Sequence, residues 1–171
     1  GVPIVDNDDP LTYVDQVALT PHWGGVDAFA LLSGDQFRPD APPQLGDTSI
    51  YVDGNGTVTT NDQAYRDQVT EVLNVSADLT TDQKVIAEFW ADGPRTESPP
   101  GHWNQIAQDI ALREDHGIDE DAKLFFALNA ALFDAGIATW ETKFTYDYIR
   151  PQSAIRDLFF NQTVDAWGGV N

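Results

Sequence analysis

Two cations seven residues apart, Lys143 and Arg150, close the longest helical pattern in a chain that has nine Lys and Arg altogether. On a continuous helix that spacing is almost two turns, so both side chains would leave one face about 10 Å apart along the axis. Trp140 falls one turn before Lys143 on the same face. Pro151 cannot continue the helical hydrogen bonding and biases Arg150 towards an extended backbone, from which its guanidinium can swing back towards Lys143. Two converging cations beside an indole suit a compact tetrahedral oxyanion such as phosphate or vanadate. The same pair also suits ordinary solvated surface charges, and spacing alone does not choose between them.

Other chemistry-bearing residues are sparse. The chain has three histidines and no cysteine, which excludes disulfides and thiolate chemistry. His22, beside Trp23, reads as a packed loop residue. His102 follows Pro-Pro-Gly at a helix start, where the dipole disfavours the imidazolium, so neutral packing is expected. His116, just before Gly117, reads as a surface residue. Asp92 precedes Gly93 and suits either a turn at a helix end or a site carboxylate. Asp53-Gly54-Asn55-Gly56-Thr57 places oxygen ligands at alternate positions, but Val58 and Ala64 stand where a calcium loop needs Gly and Glu, so a hairpin turn is expected. No zinc spacing, glycine-rich phosphate loop or serine elbow is present.

A chain of 171 residues, 42% hydrophobic, can bury one real core. A formal charge of −19 argues against nucleic acid or an anionic membrane as partner. An acidic surface repels anions, so an oxyanion site needs locally gathered cations, which Lys143, Arg150 and Arg156 would provide. No apolar run reads as long enough to span a membrane, and no signal peptide is visible. The sequons at Asn55, Asn74 and Asn161 would permit glycosylation after secretion.

The elements that must carry these residues follow from periodicity. Residues 1–60, rich in Pro, Gly and Asp, read as an irregular N-terminal arm with a turn at Asp6–Pro10. Residues 61–171 read as a helical bundle. Asn61 caps a first helix with Ala64, Tyr65, Val69, Val72 and Leu73 on one face. Thr80 and Gln83 form a capping box for a second, stopping near Asp92-Gly93-Pro94. Pro99 and Pro100 open a third, with Trp103, Ile106, Ala107, Ile110 and Ala111 as its stripe and Gly117 as its end. Asp119, Glu120 and Asp121 open the fourth, which carries Phe125, Leu128, Leu132, Ile137 and Trp140 into Lys143. A short helix over Ser153–Phe160 follows Pro151.

The string Lys143-x6-Arg150-Pro151 resembles the first motif of the vanadium-dependent haloperoxidases and of the related type-2 phosphatidic acid phosphatases, within the acid phosphatase superfamily. Trp140, three residues before the lysine, resembles the haloperoxidase branch. Thr20-Pro21-His22-Trp23-Gly24 is similar to a segment ahead of the helical core in bacterial relatives, and Ala87–Ala107 is similar to the family's upstream helix–loop–helix. The likeness runs from about Pro10 to Leu158. It implies a mainly α fold, a helical bundle of the vanadium haloperoxidase type with a long irregular N-terminal arm. It implies that Lys143 and Arg150 are catalytic and bind vanadate with Trp140, and that Asp92 supports the site by pairing with an arginine from the later half. The family's Ser-Gly-His segment, second arginine and metal-bound histidine have no counterpart here, so no residue of this chain is expected to bond vanadium directly. The resemblance therefore implies an N-terminal part completed by a missing C-terminal half or a second chain, with room for a homo-oligomer. The complete protein would be a peroxidase that uses hydrogen peroxide to oxidise halide to hypohalous acid, in a secreted or periplasmic setting. A phosphoester hydrolase using phosphate in the same pocket, or a non-catalytic helical fragment, are the alternatives.

Overall fold

The computed structural model describes residues 4–5, 13–14, 20–93 and 95–169. The turn expected at residues 6–10 falls outside these, as does Pro94; the second helix, expected to stop near Asp92-Gly93-Pro94, ends earlier, at Phe89. The chain is predominantly helical and forms two compact units. One comprises Gly1–Leu19, Asp40–Thr80 and Tyr146–Asn171; the other comprises Thr20–Pro39 and Thr81–Thr145.

In the first unit, β1 (Ile4–Val5) pairs antiparallel with β2 (Tyr13–Val14). β3 (Ile50–Val52) and β4 (Val58–Thr60) form the hairpin expected around Asp53–Thr57, with Tyr51 opposite Thr59. Its turn is closed by Asp53, whose Oδ1 accepts from the backbone N–H of Asn55 (2.9 Å) and Thr57 (2.8 Å), while Gly56 takes φ +83°. Helix α1 (Asn61–Ala77) follows directly. Its cap is Thr60, one residue before the expected Asn61, because the Thr60 hydroxyl accepts from Gln63 N–H at 3.2 Å. Tyr65 and Val69 of α1 and Ala154 of α5 (Pro151–Leu158) make the core, with Tyr148, Ile149, Ile155, Leu158 and Phe159 packed around them. Tyr148 Oη donates to the carbonyl of the buried Pro43 at 2.5 Å. Burial pushes the Tyr148 phenol up to about 12.

The second unit holds α2 (Thr81–Phe89), α3 (Ser98–Arg113) and α4 (Ile118–Tyr146) up to Thr145. Pro99 and Pro100 lie in the first turn of α3, where their missing N–H groups cost nothing. The buried residues of α3 are His102, Ala107 and Ala111, so His102 takes the core place expected for Trp103. α3 stops at Arg113, before Gly117, and Gly117 instead opens α4: its carbonyl accepts from Glu120 and Asp121 N–H, both at 3.0 Å, and its N–H donates to Glu120 Oε2. α3 and α4 are joined by a reciprocal amide pair, Asn104 with Asn129, at 3.0 Å in each direction.

The expectation that no segment approaches a membrane span needs correction. The stretch that includes α4 is long and apolar enough to cross one by length and composition, and little of it is buried. A second face of α4 is nevertheless committed to protein. Asp134, in mid-helix, is buried and accepts backbone N–H bonds from Phe29 (2.6 Å), Ala30 (2.7 Å) and Leu31 (3.1 Å). Those donors belong to a strap, residues 20–39, that lies along α4 with a 3-10 turn at Trp23–Gly25. Trp23 packs edge-on to Phe133, and a Cβ on Gly136 would stand 3.2 Å from its indole nitrogen. Gly24 lies so close that a Cβ would be 2.6 Å from the Glu141 backbone. Ile137 is completely buried on the same helix.

Candidate functional site

The last turns of α4 carry Trp140 and Lys143. Lys143 Nζ sits 4.7 Å from the centroid of the Trp140 ring, within range of a cation–π contact. The ring is itself fixed: Trp140 Nε1–H donates to Thr20 Oγ1 at 3.0 Å. The neighbouring Glu141 is occupied by Arg38, whose Nε lies 2.8 Å from Oε2 and whose Nη2 bonds Oε1, and it also accepts from the Thr145 hydroxyl at 2.7 Å. The Arg38 guanidinium holds the Glu141 carboxyl below its usual range, against the opposing push of desolvation. Among the described residues no carboxylate forms an ion pair with Lys143. Its ammonium is exposed at the negative end of a long helix, where a cation is favoured.

Arg150 does not share that helix. α4 ends at Tyr146, and Asp147 turns the chain with φ +41°. Arg150 is the extended residue preceding α5 (φ −76°, ψ 148°), as the following proline requires, and its side chain is exposed. The expectation of one continuous helical face therefore fails, because the helix breaks between the two cations. Lys143 belongs to the second unit and Arg150 to the first. Arg156 is exposed on α5.

Asp92 lies just beyond α2 with a side chain only 10% exposed, and its Oδ1 is 2.8 Å from His102 Nδ1. An ionised carboxylate can only accept, so His102 Nδ1–H donates. The imidazole is boxed by Phe89 and Trp90, at centroid distances of 4.6 and 5.1 Å. His102 is thus packed, as expected, and also holds Asp92, which the dipole argument did not anticipate. His22 is exposed rather than packed. His116 is half-buried, 3.4 Å from Asp121 Oδ1, rather than a free surface residue. No group of three or more metal-ligating side chains occurs among the described residues.

Three site-supporting residues escaped the sequence reading: Thr20, Asp134 and Glu141. The carboxylates carried a signal, since each is an acid on the stretch that delivers Lys143. Desolvation pushes Asp134 up, but the N–H groups of Phe29, Ala30 and Leu31 outweigh it and hold the carboxyl below its ordinary range.

Residues 123–171 match the family described as the VCPO second helical-bundle domain, and this segment contains Trp140, Lys143 and Arg150. The chain therefore carries a family-level match to the vanadium chloroperoxidase domain over residues 123–171. Vanadium chloroperoxidase of Curvularia inaequalis is 36% identical over 80 residues, covering 40% of this chain. The matched region spans 13% of that relative's length. No solved structure matches.

Proposed function

We propose that this chain contributes the first oxyanion donors of a vanadate-dependent haloperoxidase. The observation that carries the reading is Lys143 itself: an exposed ammonium, unopposed by any described carboxylate, held against Trp140 inside the segment that matches the chloroperoxidase domain. The residues present fit the group in kind. Lys and Arg donate hydrogen bonds to a tetrahedral oxyanion and neutralise its charge, while a direct bond to the metal needs a ligand from elsewhere in the complete protein.

Lys143 and Arg150 would hold vanadate, with Trp140 restraining the lysine. When bound, vanadate supplies a Lewis-acidic centre that activates hydrogen peroxide for halide oxidation to hypohalous acid. Lys143 would donate an ammonium N–H to an anion oxygen and lower the cost of negative charge there. Arg150 would add a planar guanidinium fork suited to oxyanion oxygens. Asp92, held by His102, supplies a fixed acceptor for an arginine from a further segment. In this reading the protein acts outside the cytoplasm, and a C-terminal half or second chain completes the site.

Lys143→Ala in the complete protein is expected to abolish peroxide-dependent chlorination or bromination of monochlorodimedone in the presence of orthovanadate. Unchanged turnover would sink the assignment. The same donors suit phosphate, which favours a phosphoester hydrolase as the second reading. That enzyme would release phosphate from a model ester without vanadate and be inhibited when vanadate is added.

A further inference from the structure

The Lys143 ammonium is not positioned by α4 alone. We propose that Thr20 is a positioning residue for Lys143, acting through Trp140, so that the strap 20–39 sets how firmly the site grips an oxyanion. This rests on the oxyanion reading above and extends it to a residue 120 positions away in sequence.

The attraction of an indole for a cation lies over its face and vanishes at its edge. Lys143 therefore gains a defined place only if the ring plane is defined. A half-buried tryptophan can rock about its side-chain bonds, and a hydrogen bond at Nε1 removes that freedom. Thr20 provides it at 3.0 Å, and the ammonium sits over the restrained ring at 4.7 Å. Thr20 adopts φ +47°, a left-handed conformation that β-branched residues rarely take. Glycine would suit that backbone better, so the hydroxyl is what the position gains from threonine.

Thr20 is held by more than its own turn. Trp23 N–H donates to its carbonyl at 3.0 Å. The three N–H bonds to Asp134, the Arg38–Glu141 ion pair and the close approach of Gly24 to Glu141 then seat the strap on the helix. Its position is thus transmitted to Trp140, and from there to the lysine.

The test uses the full-length protein, with orthovanadate affinity by calorimetry and the Trp140 indole N–H followed by NMR hydrogen exchange. Thr20→Gly, which the local φ accommodates, is expected to weaken vanadate binding about two- to fivefold, the worth of one exposed cation–π contact. It should also speed exchange of the Trp140 indole proton. Thr20→Ser restores both. On a Trp140→Phe background, which has no N–H to tie, Thr20→Gly adds no further loss of affinity. Additive losses in that double variant, or unchanged affinity and exchange in Thr20→Gly while Lys143→Ala weakens vanadate at least tenfold, overturn the positioning role and leave the oxyanion reading standing. Unchanged vanadate affinity in Lys143→Ala removes the reading itself, and this inference with it.

Discussion

Ile137→Ala offers the sharpest probe of what supports the end of α4. Ile137 is 0% exposed, one turn before Trp140 and one turn after Asp134. The substitution removes three buried carbons, worth about 2.4 kcal/mol at ~0.8 kcal/mol each. The cavity left behind adds to this, giving roughly 3 kcal/mol within the usual range for such truncations. In urea, with a slope of about 2 kcal/mol/M, the unfolding midpoint should fall by about 1.5 M. Circular dichroism follows the helices, and tryptophan fluorescence follows Trp23 and Trp140 on either side of the lesion. Leu112→Ala is the control: it removes a similar side chain that is 81% exposed and should shift stability by no more than about 0.5 kcal/mol. If the two variants unfold at the same midpoint, Ile137 is not the packing point described, and Trp140 and Lys143 are not resting on a buried residue.

Two further outcomes follow from ionisation. The Asp134 carboxyl is held below its ordinary 3.8, so its contribution is complete above that value and lost as pH falls through the lower folded value. Asp134→Asn should be less stable than the parent near neutrality, and the gap should close on acidification below about pH 4 in a series of urea titrations. The Tyr148 phenol is pushed up to about 12 from 10.0, so its contribution is complete below pH 10.0 and lost as pH rises towards 12. Tyr148→Phe, which leaves the Pro43 carbonyl without its donor, should cost about 1 kcal/mol at neutral pH yet flatten the alkaline loss of stability seen in the parent.

The helices were legible because their signals are local: the Pro99-Pro100 start of α3, the acidic start of α4, and the Tyr65–Val69 face of α1. Errors cluster where a backbone detail decides. The cap moved from Asn61 to Thr60 because either side chain suits the position chemically and only geometry selects the hydroxyl. Periodicity puts Lys143 and Arg150 on one helical face, and it carries no sign of the left-handed turn at Asp147 that separates them. The partners of Asp134 were illegible for a deeper reason: they are backbone N–H groups, which every non-proline residue owns, and they come from more than a hundred positions away. The family resemblance suggests the proposed roles of Trp140 and Lys143, and the structure adds the indole–ammonium contact and the threonine behind it.

The strap has an implication for biosynthesis. Its hydrogen-bonded anchor points on α4 lie 103 to 120 residues downstream of the groups they bind. A ribosome delivers residues 20–39 long before the helix that receives them, so during synthesis their amides must be satisfied by water and Arg38 must wait without its carboxylate. Closure of so distant a contact is intrinsically slow. The segment that braces the end of α4 is therefore among the last parts of its unit to settle, and a nascent chain is vulnerable to proteases there until the helix arrives.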